Sequence, residues 1–123
     1  MAEDNCSLAS DPESRFKLIF LTPKSSTQDI LQYLLKKFPR ELGSISPQKH
    51  SAFITSGMDQ YTPGPEANPT IGAPGVEERV DENKVEMVVN GGVEVLRRAV
   101  NELKLVHPYE EVGYEVYRLE CTS

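Results

Sequence analysis

No apolar run in this 123-residue chain exceeds the four residues Leu18 to Leu21, far short of the roughly 20 that a membrane-spanning helix requires. Cysteine is scarce, and Cys6 and Cys121 each lie close to an end. No metal-ligand spacing links them, and they read as free cytoplasmic thiols ahead of a terminal disulfide. Positive charge is in deficit: 13 Lys and Arg face 19 Asp and Glu, a net charge of −6. Without a concentrated basic patch, that balance repels phosphate backbones and excludes nucleic acid as a partner. Lys36-Lys37 with Arg40, and Arg97-Arg98, read as solvated helix faces. Residues 1–14 carry Glu3, Asp4, Asp11 and Glu13 around no apolar segment, the pattern of a disordered tail rather than a targeting peptide. The expectation is a cytoplasmic protein with one folded domain, residues 15–120, and no membrane contact.

Several catalytic signatures are also missing. There is no Gly-x-Ser-x-Gly elbow, no Gly-Lys-Ser/Thr phosphate loop and no His-Glu-x-x-His. Asn90-Gly91-Gly92 could offer backbone amides to an anion, but a plain turn accounts for it. Nothing demands an enzyme, and a non-catalytic protein is the first expectation.

The segments that are present alternate in period. Phe16 to Thr22 reads as a buried strand closed by Pro23. Ser26 then opens a helix with an apolar stripe of Ile30, Leu31, Leu34, Leu35 and Phe38, stopped by Pro39 and Gly43. Ala52-Phe53-Ile54-Thr55 favours a second strand from about Ser51 to Ser56. Residues Tyr61 to Asn83 hold four prolines, which predicts a long stiffened loop. Val85-Met87-Val89 makes a third strand. A second helix buries Val93, Leu96, Val100 and Leu103 and ends before Pro108, which pushes His107 toward extended backbone. Val112, Tyr114 and Val116 alternate in the last strand.

This βαββαβ order predicts a ferredoxin-like α+β fold: an antiparallel sheet of four strands, order 4-1-3-2, with two helices on one face. The other face, with Ile19, Leu21, Val88, Tyr117 and Leu119 to line it, is too apolar for water and predicts a homo-oligomer. The same topology carries two distant segments to one end. Ala67-Asn68-Pro69-Thr70-Ile71-Gly72 lies in the loop after the second strand, and His107-Pro108-Tyr109-Glu110-Glu111 lies just before the fourth. His50 belongs at the opposite end, roughly 20 Å away along a six-residue strand, whereas two ligands of one metal sit about 3–4 Å apart. The candidate ligand-binding residues are therefore Asn68, Thr70, Gly72, Glu78, Arg79, His107, Tyr109, Glu110 and Glu111. His107 with Glu110 is the candidate divalent-metal pair, as carboxylate and imidazole suit such an ion. The plainer alternative has His107 hydrogen-bonding backbone in a turn, with the glutamates solvated. Likewise Glu77, Glu78 and Arg79 fit a salt bridge at the start of a strand as well as a ligand contact.

With these residues in view, the chain resembles the NIF-three-like (NGG-interacting factor three, YqfO-type) family. It looks like a standalone copy of the PII/CutA-like domain that many members carry inserted between two larger halves. The matching segments are Phe16 to Pro23, His50 to Phe53, Ala67 to Gly72, Val76 to Val80 and His107 to Leu119. Three residues depart from the family pattern: Ser51 stands where Cys is usual, Val112 where Pro is, and Glu115 where Asp is common. The halves that carry the family's dinuclear metal ligands have no counterpart here, so the resemblance does not bring a cyclohydrolase label. What it implies is a PII/CutA-like oligomer, a trimer ahead of a dimer, acting as a binding or regulatory module. In PII proteins, the loop after strand 2 meets protein partners and the loop before strand 4 helps bind nucleotide between subunits. Here Glu110-Glu111 repels phosphates, so a nucleotide would need a bridging cation. The alternative is a divalent-metal-binding protein or metal-dependent hydrolase.

Overall fold

A computed structural model of the chain describes residues 14–65 and 73–122. Its elements are β1 (Phe16–Pro23), α1 (Thr27–Lys37), β2 (Phe53–Tyr61), β3 (Glu78–Val89), α2 (Gly92–Val106) and β4 (Tyr114–Arg118). They form one antiparallel sheet in the order β2-β3-β1-β4, the expected topology read from the other edge.

Side-chain alternation explains the layering. Along β1, Phe16, Leu18, Phe20 and Thr22 are buried while Lys17, Ile19 and Leu21 are half-buried, so one face meets the helices and the other does not. Phe20 and Leu18 pack with Val85, Met87 and Val89 of β3 beneath Leu34 of α1 and Ala99, Val100 and Leu103 of α2. Helix α1 places Asp29 in its first turn and Lys36 and Lys37 in its last, each complementing the helix dipole. The Phe38 amide caps it by donating to the Leu34 carbonyl at 2.9 Å. Before Pro108, His107 is extended (φ −73°, ψ 139°), as a residue preceding proline should be.

Strands β2 and β3 run further than the sequence pattern suggests. The ladder continues to Tyr61 opposite Glu78, although residues 61–83 read as loop. Strand β1 pairs only with Glu82 to Val89, so Met58–Tyr61 and Glu78–Asp81 project beyond it as a two-stranded arm. Its polar sequence hides the strand because neither of its faces joins the core. Cys121 is disulfide-bonded, which corrects the expectation of a free thiol there; Cys6 lies outside the described residues. No helix among the described residues is long and apolar enough to cross a membrane.

At the far end of the sheet, Asn90 joins three segments. Its Oδ1 accepts from Arg15 Nε at 3.0 Å, and its Nδ2 donates to the carbonyls of Ser44 at 3.1 Å and Glu41 at 3.4 Å. Asn90→Ala leaves Arg15 Nε and the Ser44 carbonyl unmatched, while the Glu41 carbonyl keeps the Asn90 backbone N–H at 2.8 Å. We expect a loss of about 2 kcal/mol, measurable by urea unfolding, with secondary structure unchanged by circular dichroism.

Candidate functional site

His107 sits where α2 ends, and its ring reaches back to β1. The ring is 7% exposed. Nε2 lies 2.7 Å from the Leu21 carbonyl oxygen, and Nδ1 accepts the Tyr109 backbone N–H at 3.1 Å. An imidazole that accepts at Nδ1 and donates at Nε2 is the neutral tautomer. Burial pushes its pKa below the ordinary 6.5, opposed only in part by the Leu21 carbonyl. The ring therefore fastens the turn before β4 to the middle of the sheet, and the Leu21 N–H donating to the Gly113 carbonyl at 2.9 Å closes the same junction.

Tyr109 follows, its ring centroid 5.3 Å from that of His107. It leads away from β1 toward the base of the β2–β3 arm. Its hydroxyl interacts with the Glu82 carboxyl, and its pKa rises to about 12 through burial, with the negative charge of Glu82, Tyr61 and Asp59 adding to it. Glu82 is 5% exposed. Burial, with the Asp59 carboxyl in support, holds its pKa above the ordinary 4.5, while the Tyr109 hydroxyl acts the other way. Register explains the gathering. Glu82 stands opposite Gly57, Val80 opposite Asp59 and Glu78 opposite Tyr61, so all six share the face turned away from the helices.

The structure thus brings His107 and Tyr109 to the end of the sheet where the β2–β3 connection begins. Glu78 is half-buried on that same face. Arg79, its neighbour, points to the other, where it pairs with Glu77 at 2.6 Å and donates to Gln60 Oε1 at 3.0 Å. Glu110 and Glu111 are exposed. Asn68, Thr70 and Gly72 lie outside the described residues. Among the described residues, no three His, Cys, Asp or Glu side chains come together closely enough to hold a metal ion. A cation bound by His107 and Glu110 would have to take His107 from one of its two backbone partners.

Sequence reasoning did not single out Glu82, Asp59, Tyr61 or Gly57. The one available signal was Gly57 itself, a glycine inside a strand, which often marks a place where something approaches the backbone closely.

No family model matches the chain. Among curated proteins, the GTP cyclohydrolase 1 type 2 homolog of Halalkalibacterium halodurans is 31% identical over 107 residues, covering 87% of this chain and 27% of that protein. The chain spans about a quarter of the length of the curated relatives it matches. Among solved structures, a Bacillus cereus protein related to NIF3 superposes with a TM-score of 0.70 at 22% identity, over 96% of this chain and 31% of the other. The divalent ion tolerance protein CutA1 of Ehrlichia chaffeensis gives a TM-score of 0.62 at 15% identity, over 85% and 80% of the two chains. Those likenesses establish the ferredoxin-like fold of CutA-type proteins, and together with the curated relatives they make this chain a member of the NIF-three-like family, matched through one segment of its larger relatives.

Proposed function

We propose that the chain is a homo-oligomeric, PII/CutA-like binding or regulatory module without catalytic activity. Its working surface is the rim formed by the β2–β3 connection and the His107–Glu111 turn. The observation that carries the oligomer is the exposure of two aromatic side chains on the sheet face away from the helices, Phe53 at 69% and Tyr117 at 53%. Aromatic side chains left that far in water on a sheet face mark a contact surface. One edge of the sheet is β2, a nine-residue strand that among the described strands pairs with β3 alone, and an edge strand offers its outer hydrogen-bonding groups to pairing. The reading as a binding module draws support from His107. Its two ring nitrogens are spent on holding the turn, which suits a rigid recognition rim better than a proton-transfer group.

Light scattering after size exclusion tests the assembly. A trimer is expected, and Phe53→Asp should reduce it to monomer by placing charge in the contact. A wild-type monomer at every concentration would end this reading. Calorimetric titration with nucleotides and divalent cations tests the rim, and silence from all of them would leave a protein partner.

The second reading is a divalent-cation protein using His107 and Glu110, or a metal-dependent hydrolase built on them. The name of the Ehrlichia chaffeensis protein with the similar fold, a divalent ion tolerance protein, is what favours it. Elemental analysis of untagged protein decides the matter: less than about one ion per several chains is incompatible with a resident metal.

A further inference from the structure

Glu82 is the least explained polar residue of the fold. It is 95% removed from solvent by its 5% exposure, yet its Oε1 is fully buried with no hydrogen-bond partner. Leaving such an acceptor unmatched is costly. Every ionisable group that acts on it, Asp59 and Tyr109, is acidic, and Tyr61 feels the negative charge of Glu78, Asp59 and Glu82 together. Among the described residues no lysine or arginine forms an ion pair with Glu82. Lys84, two residues along the same face, is exposed and pairs with none of these groups. Directly across the ladder stands Gly57, where an added Cβ would meet nothing within 4 Å. The strand is therefore bare beside a carboxylate whose Oε1 is, among the described residues, the buried side-chain oxygen without a donor.

We propose that Glu82, with Asp59 and the rings of Tyr61 and Tyr109, forms a subsite for an ammonium or guanidinium group lying over Gly57. The chemistry follows from the lining. The unmatched Oε1 takes a hydrogen-bond donor, which an ammonium or guanidinium N–H supplies together with a positive charge that the second carboxyl shares, and tyrosine ring faces attract cations. A metal ion fits less well, since the described residues supply no cluster of three ligating side chains. The group can come from a free amine or from a lysine or arginine of a second copy. This inference rests on the rim being the working surface and names what part of that rim takes.

The test uses the full chain. Arginine, agmatine and spermidine are titrated calorimetrically at pH 7.5 against wild type, Glu82→Gln and Asp59→Asn at matched ionic strength, and the mass of each protein is measured by light scattering. Saturable binding that weakens tenfold or more in Glu82→Gln, with unchanged mass, assigns the site to a free amine. No amine binding, but a lower assembly in Glu82→Gln with its melting transition intact, assigns it to a neighbouring copy. If amine affinity and mass are both unaltered in the two variants, the subsite is refuted while the module reading stands. A carbon-13 carboxyl signal showing Glu82 protonated at pH 7.5 with and without amine would refute it too, a proton shared with Asp59 then supplying what the carboxyl lacks. A monomeric wild type whose amine binding is lost in Glu82→Gln would instead overturn only the oligomer.

Discussion

His107→Ala should unfold about 3 kcal/mol more easily than wild type, because it leaves both the Leu21 carbonyl and the Tyr109 amide without partners in a buried setting. For a domain of this size that is a fall of roughly 10 °C in Tm, measurable by calorimetry. The pH profile separates this role from simple loss of volume. The folded-state pKa of His107 lies below 6.5, so the unfolded chain takes up a proton first as the solution is acidified. The stability contributed by the ring is complete above about pH 6.5 and is lost as pH falls through the lower folded value. The variant should lack that acid-side decline. Glu82 runs in the opposite sense. With its folded value raised above 4.5, its contribution is present below that value and is lost as pH rises through the folded one. A wild-type profile that falls below pH 6.5 as steeply in His107→Ala as in the parent would remove the imidazole from this account.

The second large effect is expected at Gly43→Ala. Gly43 has φ +74°, a left-handed conformation that costs a residue with a side chain about 1 kcal/mol or more. Space is a harder constraint than conformation. A Cβ there would stand 2.8 Å from both the backbone N and the backbone O of Ser51, neither of which can swing aside like a side chain. Gly43 also ties the loop to the sheet, donating to the Val88 carbonyl at 2.8 Å and accepting from the Ser51 N–H at 2.8 Å. Relieving the clash breaks that pair. We expect a total loss of about 3 kcal/mol, read by denaturant unfolding, with the main damage at the start of β2. A loss below about 1 kcal/mol would mean that the 43–51 loop closes in some other way.

The scaffold was legible in the sequence because its signals are redundant. The stripe of Ile30, Leu31 and Leu34 and the stop at Pro39 mark one helix twice over, the run Leu18 to Leu21 marks the first strand, and Pro108 ends the second helix. Topology then followed from handedness and strand order. The arm was not legible, since Glu78 to Lys84 is polar at all but Val80 and shows no two-residue period. Its strand character comes from β2 alongside it, which no local pattern reveals. The same limit applied at the rim. His107 and Tyr109 stood out by their turn, whereas Glu82 fell unremarked inside the stretch Tyr61 to Asn83 that reads as loop. Only the register, which sets it opposite Gly57 and within reach of Tyr109, distinguishes it. Glu78 and Arg79, adjacent in sequence, illustrate the converse: pleating sends them to opposite sides, so they cannot serve one ligand on one face.

Because Met58–Tyr61 and Glu78–Asp81 lie past the last rung of β1, none of their side chains belongs to the core. Descendants of such a chain can rewrite the arm's tip, lengthen it or change its charge while the packed core beneath goes undisturbed. Changes there are thereby decoupled from foldability, and one platform can carry different arms without first surviving a loss of stability.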